Sequence, residues 1–386
     1  MQFDFSNWNY SFAKNTDPDR YADNCADMGL TIAMLPRTDY DSEAEGLRIM
    51  DALHDRDIRV IVKDGRTSWA NEKDPGIYRE DILATKRAFN EHPAFWCHCV
   101  RDEPYPKDFA PMGDMLDIMR ENDCPAFVNH HPFYSLFKKT FGSRENYVGY
   151  LAEYTVRHGL PLVAYDRYTH MYDEKIMSPE ECAWGLEEFY LDLNAYRAAA
   201  AGAGVPAWVT MLCTGHMMYR NPTYEDILFQ ITAAIAHGYS CVQWFYPFAH
   251  GYSEDNYGCP VDSYGERTEI YGYITRATRI VKDHLLEPLK GYAFAGVRHF
   301  GRSYGGTKEY VGEYGFGVES IWHGSGIIAE FSRGTDRKYL LVNNSDHSDR
   351  FRVTYPDSRQ DYFAHLQRGG FHFVRAFDAT KAAEQV

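Results

Sequence analysis

The sequence contains little positive charge and no long, uninterrupted hydrophobic run. Its 386 residues include 40 Lys and Arg against 55 Asp and Glu, which gives a net charge of −15. Nucleic acids and anionic membranes attract proteins through basic surfaces, so neither is expected to be a partner. The most apolar stretch, Ala198 to Cys213, is interrupted by two glycines and Pro206, so no segment is predicted to span a bilayer.

Signals that would assign the chain to a compartment or a cofactor are also missing. Met1–Phe5 has no basic stretch before an apolar run, so no secretory signal is expected. The eight cysteines lie mostly within apolar segments, which favours buried, reduced thiols and a cytoplasmic protein. Cys97, His98 and Cys99 lack a second ligand pair with zinc-site spacing, so no metal and no other cofactor are predicted.

Aromatic residues, in contrast, are abundant. The chain has 30 Tyr, 23 Phe and 7 Trp, which together make up 16% of its residues. Aromatic rings pack in any large core, but they also suit a ligand that has flat apolar faces. A carbohydrate, which combines such faces with many hydroxyl groups, is therefore one interpretation of this composition, beside ordinary packing.

Short apolar segments alternate with segments of helical periodicity over the first part of the chain. Continuous apolar strands between helices are typical of a parallel sheet that is covered on both faces. Eight such units in about 290 residues match the size of a (β/α)8 TIM barrel. No G-x-G-x-x-G or P-loop follows the first strand, which disfavours a doubly wound open sheet. The predicted strands are Phe3–Tyr10, Leu30–Pro36, Arg59–Val62, Ala94–Val100, Pro125–Asn129, Leu160–Tyr165, Pro206–Cys213 and Ser240–Phe245.

The pattern changes after Leu289. Between Phe294 and Val386, strand-like runs are separated by Gly, Asn and Asp turns without a convincing helix. This pattern predicts a small C-terminal antiparallel β-sandwich. We therefore expect a catalytic barrel over residues 1–290 and a β domain over residues 291–386. The predicted strands of the second domain are Gly326–Phe331, Lys338–Asn343, Arg350–Tyr355 and Gly370–Phe377.

Functional side chains of a (β/α)8 barrel gather at the carboxyl ends of its strands. Polar and ionisable residues follow every predicted strand, together with several aromatic residues that ordinary polar loops do not explain. The candidates for binding a substrate there are Trp8, Asn9, Arg37, Lys63, Asp102, Asn129, His130, Tyr165, His216, Trp244 and Tyr246.

Two carboxylates at these strand ends are candidates for catalysis. Glu103 closes the fourth strand before Pro104, and Asp166 closes the sixth strand between two aromatic strand-end residues. Glycoside hydrolysis needs one carboxylic acid that protonates the leaving oxygen and a second carboxylate that attacks the sugar or activates water. Asp102 precedes Glu103, and neighbouring strand residues face opposite ways, so we expect Asp102 to orient a neighbour. Alternatively, these acids form structural ion pairs with nearby basic side chains.

The segments around the two acids resemble a known group of enzymes. His92–Trp96 followed by Arg101–Pro104 is similar to the DEP-containing stretch of (β/α)8 barrels related to clan GH-A glycoside hydrolases, among them β-galactosidases and β-agarases. Ala164–Tyr168 is similar to their Y-D-x-Y motif, and Gln243–Phe245 is similar to their eighth strand. The resemblance covers most of residues 90–290 and implies a glycoside hydrolase in which Glu103 is the proton donor.

The seventh strand departs from that resemblance. Clan GH-A enzymes carry a glutamate nucleophile at its end, whereas Trp208–His216 contains no acid. Either Asp166 is the nucleophile, or Asp166 activates water in an inverting reaction, or the chain is not a hydrolase. Carboxyl groups about 5–5.5 Å apart favour retention of configuration, and a separation of about 6.5–9.5 Å favours inversion.

We expect a cytoplasmic glycoside hydrolase that acts on short oligosaccharides or glycosides, as a monomer or as a homo-oligomer. The alternatives are a metal-dependent sugar isomerase or lyase with histidine and carboxylate ligands, and a catalytically inactive barrel that binds glycans. A Schiff base on Lys63 is a further alternative. Arg37, Lys63 and Arg66 suggest an anionic substrate such as a uronate, although ion pairs with nearby acids are the simpler explanation.

Overall fold

Eight short parallel strands form the main sheet of the computed structural model, which describes residues 2–69, 75–250, 256–356 and 361–374. They are β1 (Asp4–Asn7), β2 (Ile32–Met34), β3 (Arg59–Val62), β4 (Phe95–Asp102), β5 (Ala126–His130), β6 (Val163–Asp166), β7 (Ala207–Leu212) and β8 (Cys241–Phe245). Their order in the sheet is β2-β3-β4-β5-β6-β7-β8-β1. The two ends of the sheet approach each other where Thr31 N–H donates to Phe5 O at 2.9 Å. The predicted TIM barrel is therefore confirmed as a nearly closed barrel.

Helices connect successive strands on the outside of this sheet. They are α1 (Pro18–Asp27), α2 (Glu43–His54), α3 (Pro75–Phe89), α4 (Phe109–Glu121), α5 (Ser135–Phe141), α6 (Arg144–His158), α7 (Pro179–Ala203), α8 (Tyr224–Ala236) and α9 (Glu269–Val281). The sequence pattern predicts all of them except α5, which at seven residues is too short to establish a helical period. Among the helices in the described part of the chain, none combines the length and the apolar character that a membrane crossing needs.

The ends of α7 illustrate how local sequence fixes the helix boundaries. Ser178 accepts a hydrogen bond from the backbone N–H of Glu181, and the Glu181 carboxylate accepts one from the backbone N–H of Ser178. This reciprocal capping satisfies two donors that the first turn would otherwise leave unpaired. The helix ends at Gly204, whose φ of +71° is a left-handed conformation that glycine adopts without strain.

An apolar layer fills the barrel interior below the carboxyl ends of the strands. Alternate residues of each strand point inward, and their buried side chains contact one another. This layer contains Ile32, Met34, Ile61, Cys97, Cys99, Phe127, Ala164, Trp208 and Cys241. The eight cysteines are free thiols, and all except Cys182 are buried. Two residues further along β5 to β8, the inward positions become polar, so the interior is divided into an apolar layer and a polar layer.

The C-terminal part of the chain consists of two antiparallel sheets. Its strands are β9 (Ala293–Phe300), β10 (Gly317–Ser320), β11 (Gly326–Arg333), β12 (Asp336–Asn343), β13 (Asp349–Thr354), β14 (Tyr362–Leu366) and β15 (Phe371–Val374). One sheet has the order β9-β11-β12-β15, and the other has the order β10-β13-β14. Phe300, Ile328, Leu341 and Phe351 are buried in the core that the two sheets share. The predicted small β-sandwich is therefore confirmed.

The strand pattern missed β9, β10 and β14. Residues 375–377 of the predicted strand Gly370–Phe377 lie outside the described residues. The change from helices to antiparallel strands falls between Leu286 and Ala293, beside the domain boundary proposed at residue 290.

A buried ion cluster joins the β-sandwich to the barrel. The Asp226 carboxylate of α8 accepts hydrogen bonds from Arg220 at 2.9 Å and from Arg368, in the turn between β14 and β15, at 2.7 Å. Burial alone would raise the pKa of Asp226, but these two arginines hold it well below the usual range. Beside them Gly369 O accepts from the Thr232 hydroxyl at 3.0 Å, and a Cβ at Gly369 would lie 2.4 Å from the Phe229 nitrogen.

We expect Asp226→Asn to lower the free energy of unfolding by about 3 kcal/mol, because both arginines lose a carboxylate that they share in a buried position. Because the pKa is depressed, this stabilisation is present above the pKa of an unfolded aspartate and is lost as the pH falls below it. Denaturation curves of both proteins at pH 7 would measure the change. Asp283→Asn, at an exposed position, is the matched control, and an equal effect of both substitutions would contradict the prediction.

Candidate active site

A cavity of about 670 Å³ opens at the carboxyl ends of the barrel strands. Its volume is typical of sites that bind small molecules. The cavity lies above the apolar layer, where the inward residues are polar, and loop residues that follow the strands complete its walls. The lining residues are Trp8, Tyr10, Phe12, Arg37, Lys63, Asp102, Glu103, Asn129, Asp166, Tyr168, Thr210, His216, Phe245, Tyr246 and His250.

Nine of the thirteen predicted residues line this cavity. They are Trp8, Arg37, Lys63, Asp102, Glu103, Asn129, Asp166, His216 and Tyr246. The carboxyl ends of the strands therefore bring together residues that are distant in sequence, including both candidate catalytic acids.

The other four, Asn9, His130, Tyr165 and Trp244, are buried outside the lining. Asn9 accepts from the backbone N–H of Ser11 at 2.8 Å and so supports its own loop. The remaining three are strand neighbours of the cavity residues Asn129, Asp166 and Phe245, and successive strand residues point to opposite faces. They pack between the sheet and the helices, so the expectation that these four contact a sugar is corrected.

Six lining residues were not predicted. Strand alternation could have indicated that Thr210 and Phe245 point inward, because each lies two residues from another inward position on its strand. Tyr10, Phe12, Tyr168 and His250 follow the strands in loops, where no periodicity indicates the direction of a side chain.

One amide group organises the acids of the cavity. Asn129 Nδ2 donates hydrogen bonds to Asp102 Oδ1 and to Asp166 Oδ1, both at 3.0 Å. The hydroxyl of Thr210 lies 3.4 Å from Asn129 Oδ1 and 3.1 Å from Gln243 Oε1, and it donates to one of the two. The strand register sets this arrangement, because Asp102 pairs with Asn129, and Asp166 pairs with Thr210, which pairs with Gln243.

Glu103 reaches the same cavity through an unusual backbone conformation. Its φ is +44°, in the left-handed region that non-glycine residues rarely adopt. Its N–H still donates to Asn129 O at 2.8 Å, and Pro104 then ends the strand. Simple alternation would direct Glu103 away from the face that Asp102 occupies, whereas the left-handed turn lets both acids line one cavity. Backbone strain of this kind is concentrated at functional sites.

The electrostatic environment keeps these acids from ionising at their usual pH. Burial and the charge of Asp102 raise the pKa of Glu103 to about 7, against the opposing effect of a hydrogen bond with Asp166. Burial and the charges of Glu103 and Asp102 raise the pKa of Asp166 well above its usual range, although Asn129 and Arg167 favour its charged form. Glu103 and Asp166 thus titrate as a pair that retains a proton near neutral pH.

A neutral histidine lies beside the pair. Burial and the charge of Arg167 lower the pKa of His131 to about 4, and its Nδ1 is 3.4 Å from Glu103 Oε1. The contact is therefore not an ion pair at neutral pH. The backbone oxygen of His131 accepts hydrogen bonds from the hydroxyls of Tyr147 at 3.0 Å and Tyr196 at 2.6 Å, which fix the loop that follows β5.

In the described ranges of the chain, no three His, Cys, Asp or Glu side chains come together in an arrangement that could hold a metal ion. The three acids of the cavity are instead linked to one another through Asn129 and through the contact of Glu103 with Asp166.

Comparison with known proteins is informative at the level of structure. No protein-family model and no curated protein matches the sequence. The β-galactosidase of Marinomonas ef1 has a similar fold, with a TM-score of 0.52 and 12% identity over 75% of this chain and 60% of that enzyme. This chain shares the (β/α)8 barrel fold. It spans about 60% of the length of the Marinomonas enzyme.

Two further solved structures are similar to a smaller degree. The β-glucuronidase of Bifidobacterium dentium has a TM-score of 0.49 and 12% identity, over 72% of this chain and 46% of that enzyme. The β-galactosidase of Halorubrum lacusprofundi has a TM-score of 0.46 and 13% identity, over 72% of this chain and 58% of that enzyme. At such identities the likeness concerns the fold, and the reaction has to be argued from the cavity.

We expect Glu103→Gln to stabilise the protein at pH 8 and to have a smaller effect at pH 5. A carboxyl group whose pKa is raised by folding stabilises the native state only while it is protonated, and this contribution is lost as the pH rises through about 7. Melting temperatures at the two pH values would measure the difference. Glu153→Gln, at an exposed position on α6, is the control, and a shift of Glu103→Gln that does not depend on pH would contradict the prediction.

Proposed function

We propose that this protein is a glycoside hydrolase in which Glu103 and Asp166 act together. The observation that carries the proposal is a pair of acids that line one cavity at the carboxyl ends of β4 and β6, both with a raised pKa. Such a pair supplies the proton and the carboxylate that cleavage of a glycosidic bond requires. The Marinomonas β-galactosidase, whose barrel this chain shares, supports the same class of reaction.

The hydrogen bonds around the pair support a division of roles. Asp166 accepts from Asn129 and lies near the Arg167 guanidinium, and both favour its carboxylate form. Glu103 faces the neutral ring of His131 and the charge of Asp102, and these surroundings favour its protonated form. Burial and the charges of Glu103 and Asp102 raise the pKa of Asp166 as well, so the hydrogen bonds alone distinguish the two acids. On that basis we assign the proton to Glu103, as general acid, and the negative charge to Asp166.

The proposed reaction proceeds in two steps. Glu103 transfers its proton to the glycosidic oxygen while Asp166 Oδ attacks the anomeric carbon, so the aglycone leaves as an alcohol and a glycosyl ester forms. Glu103 then takes a proton from water, which attacks the anomeric carbon and releases Asp166. The effect of each acid on the pKa of the other indicates that they lie close together, which supports this retaining route, because an inverting enzyme needs room for water between them.

Aromatic side chains of the cavity suit a sugar ring. The ring of Tyr10 packs edge-on against Phe245 and Tyr246, with centroid distances of 5.9 and 5.3 Å, and Tyr168 lies 5.6 Å from Phe245. Together they form an apolar wall of the cavity beside the acids. A cavity of about 670 Å³ has room for a short oligosaccharide or an aryl glycoside, which is the substrate size that we propose.

We expect Asp166→Asn to reduce kcat/KM on responsive glycosides by at least about 100-fold, and Glu103→Gln to do so on methyl glycosides, whose leaving group needs a proton. Initial rates on a panel of methyl and 4-nitrophenyl glycosides, with and without EDTA, would measure this. Glu153→Gln is the matched control on the surface. Activity that survives both substitutions would exclude the mechanism, and activity lost only with EDTA would favour the metal-dependent alternative.

Product stereochemistry provides a separate test of the two-step route. We expect the first sugar product to have the anomeric configuration of the substrate, because two inversions restore it. Proton NMR of a hydrolysis mixture in its first minutes, before mutarotation, would identify the anomer. An inverted product would show that Asp166 activates water rather than attacking the sugar.

A further inference from the structure

Two positively charged side chains face the cavity from the side opposite the aspartate on β6. Lys63 follows β3, and its Nζ donates to Asn9 O at 2.7 Å. The same ammonium lies 5.0 Å from the ring centroid of Trp8 and 4.4 Å from that of Tyr10. Arg37 follows β2 and also lines the cavity. Burial lowers the pKa of Lys63, the charges of Cys99 and Asp102 oppose this effect, and the charge of Arg37 adds to it.

The acids nearest in sequence to these cations are already engaged. Asp64 accepts from Arg66 Nε at 2.7 Å and from Arg66 Nη2 at 2.9 Å, so both of its oxygens are occupied. Asp39 accepts from the hydroxyl of Ser42 at 2.8 Å. Within the described ranges, neither Lys63 nor Arg37 forms an ion pair at 4.0 Å or less. Asp102 lies near enough to raise the pKa of Lys63 against the effect of burial, and Arg37 adds to the effect of Ser42 in lowering the pKa of Asp39, but neither acid holds its cation in an ion pair.

Two arginines of the barrel show how a buried carboxylate can compensate a cation, a partner that Lys63 and Arg37 do not have among the described residues. Arg167 is buried against Asp192, with a distance of 2.6 Å between Nη2 and Oδ2, and Arg144 Nε is 2.8 Å from Asp192 Oδ1. Removing a cation from water is unfavourable unless a partner compensates. Lys63 is half-buried with one neutral acceptor, so two of its three N–H donors are available to a ligand.

We propose that Lys63 and Arg37 form a subsite for an anionic group on the sugar, either a uronate carboxylate or a sulfate ester. The proposal rests on the proposed function, because it names the substrate class of the same cavity. Both groups present several oxygens that accept charge-assisted hydrogen bonds from an ammonium and a guanidinium. In a protein of net charge −15, two unpaired cations in one cavity favour such a ligand over a neutral sugar.

The first experiment compares matched pairs of substrates that differ only in charge. Initial rates would be measured on 4-nitrophenyl glucoside against glucuronide, galactoside against galacturonide, and each neutral glycoside against its 6-sulfate. We expect wild type to prefer an anionic member by about 10-fold or more in kcat/KM, and Lys63→Met and Arg37→Met each to reduce that preference by about 10-fold or more. Arg48→Gln removes an exposed positive charge from α2 and should leave the preference unchanged.

The second experiment measures binding without turnover. Calorimetric titration of the same proteins with glucuronate, galacturonate, glucose 6-sulfate and glucose separates the carboxylate source from the sulfate source. We expect an anionic sugar to bind wild type and to lose about 10-fold or more in affinity in Lys63→Met, with partial recovery in Lys63→Arg. Equal losses for neutral and anionic sugars would mean that Lys63 has only a structural role, and would overturn the proposal.

The two experiments separate the two proposals. Glu103-dependent hydrolysis of neutral glycosides without any preference for anionic ones would overturn the anionic subsite and leave the hydrolase proposal intact. Binding of an anionic sugar that depends on Lys63 and Arg37, without hydrolysis of any glycoside, would support the subsite and overturn the hydrolase proposal. Neither hydrolysis nor binding of an anionic sugar would overturn both.

Discussion

The cavity depends on the placement of one buried amide between a buried carboxylate and a half-buried one. Burying acids at the mouth of a barrel is unfavourable unless hydrogen bonds compensate for the lost water. Asn129 provides such bonds to Asp102 and Asp166, and the Thr210 hydroxyl on β7 lies between its amide oxygen and that of Gln243 on β8. A one-residue slip of any of these strands would turn its polar side chain toward the helices. The chemistry of the cavity therefore depends on the strand register.

Periodicity alone was sufficient to predict the barrel and the sandwich, because apolar strands between helices have few stable arrangements. It also located Glu103 and Asp166, since the ends of parallel strands lie at one edge of the sheet. Short or irregular elements escaped it: α5 spans only Ser135–Phe141, and β10 only Gly317–Ser320. The division of the chain at residue 290 remains a proposal.

Individual side chains were harder to predict than the strands that present them. Trp244 was selected for its chemistry, yet alternation places it behind the sheet and leaves Gln243 inside. The left-handed turn at Glu103 has no local signature, because glycine is the residue that usually marks this conformation. The lack of ion pairs at Lys63 could be recognised only in three dimensions, where Asp64 was found bound to Arg66.

The contact between Arg368 and α8 has a consequence for the architecture as a whole. The same helix holds the end of β7, because the Gln230 side chain exchanges two hydrogen bonds of 3.0 Å with the backbone of Leu212. The β-sandwich thus contacts α8, and α8 in turn holds the strand that carries Thr210. Barrel and sandwich are therefore not interchangeable modules. A foreign domain in place of the sandwich would have to make equivalent contacts with α8 to keep β7 in position.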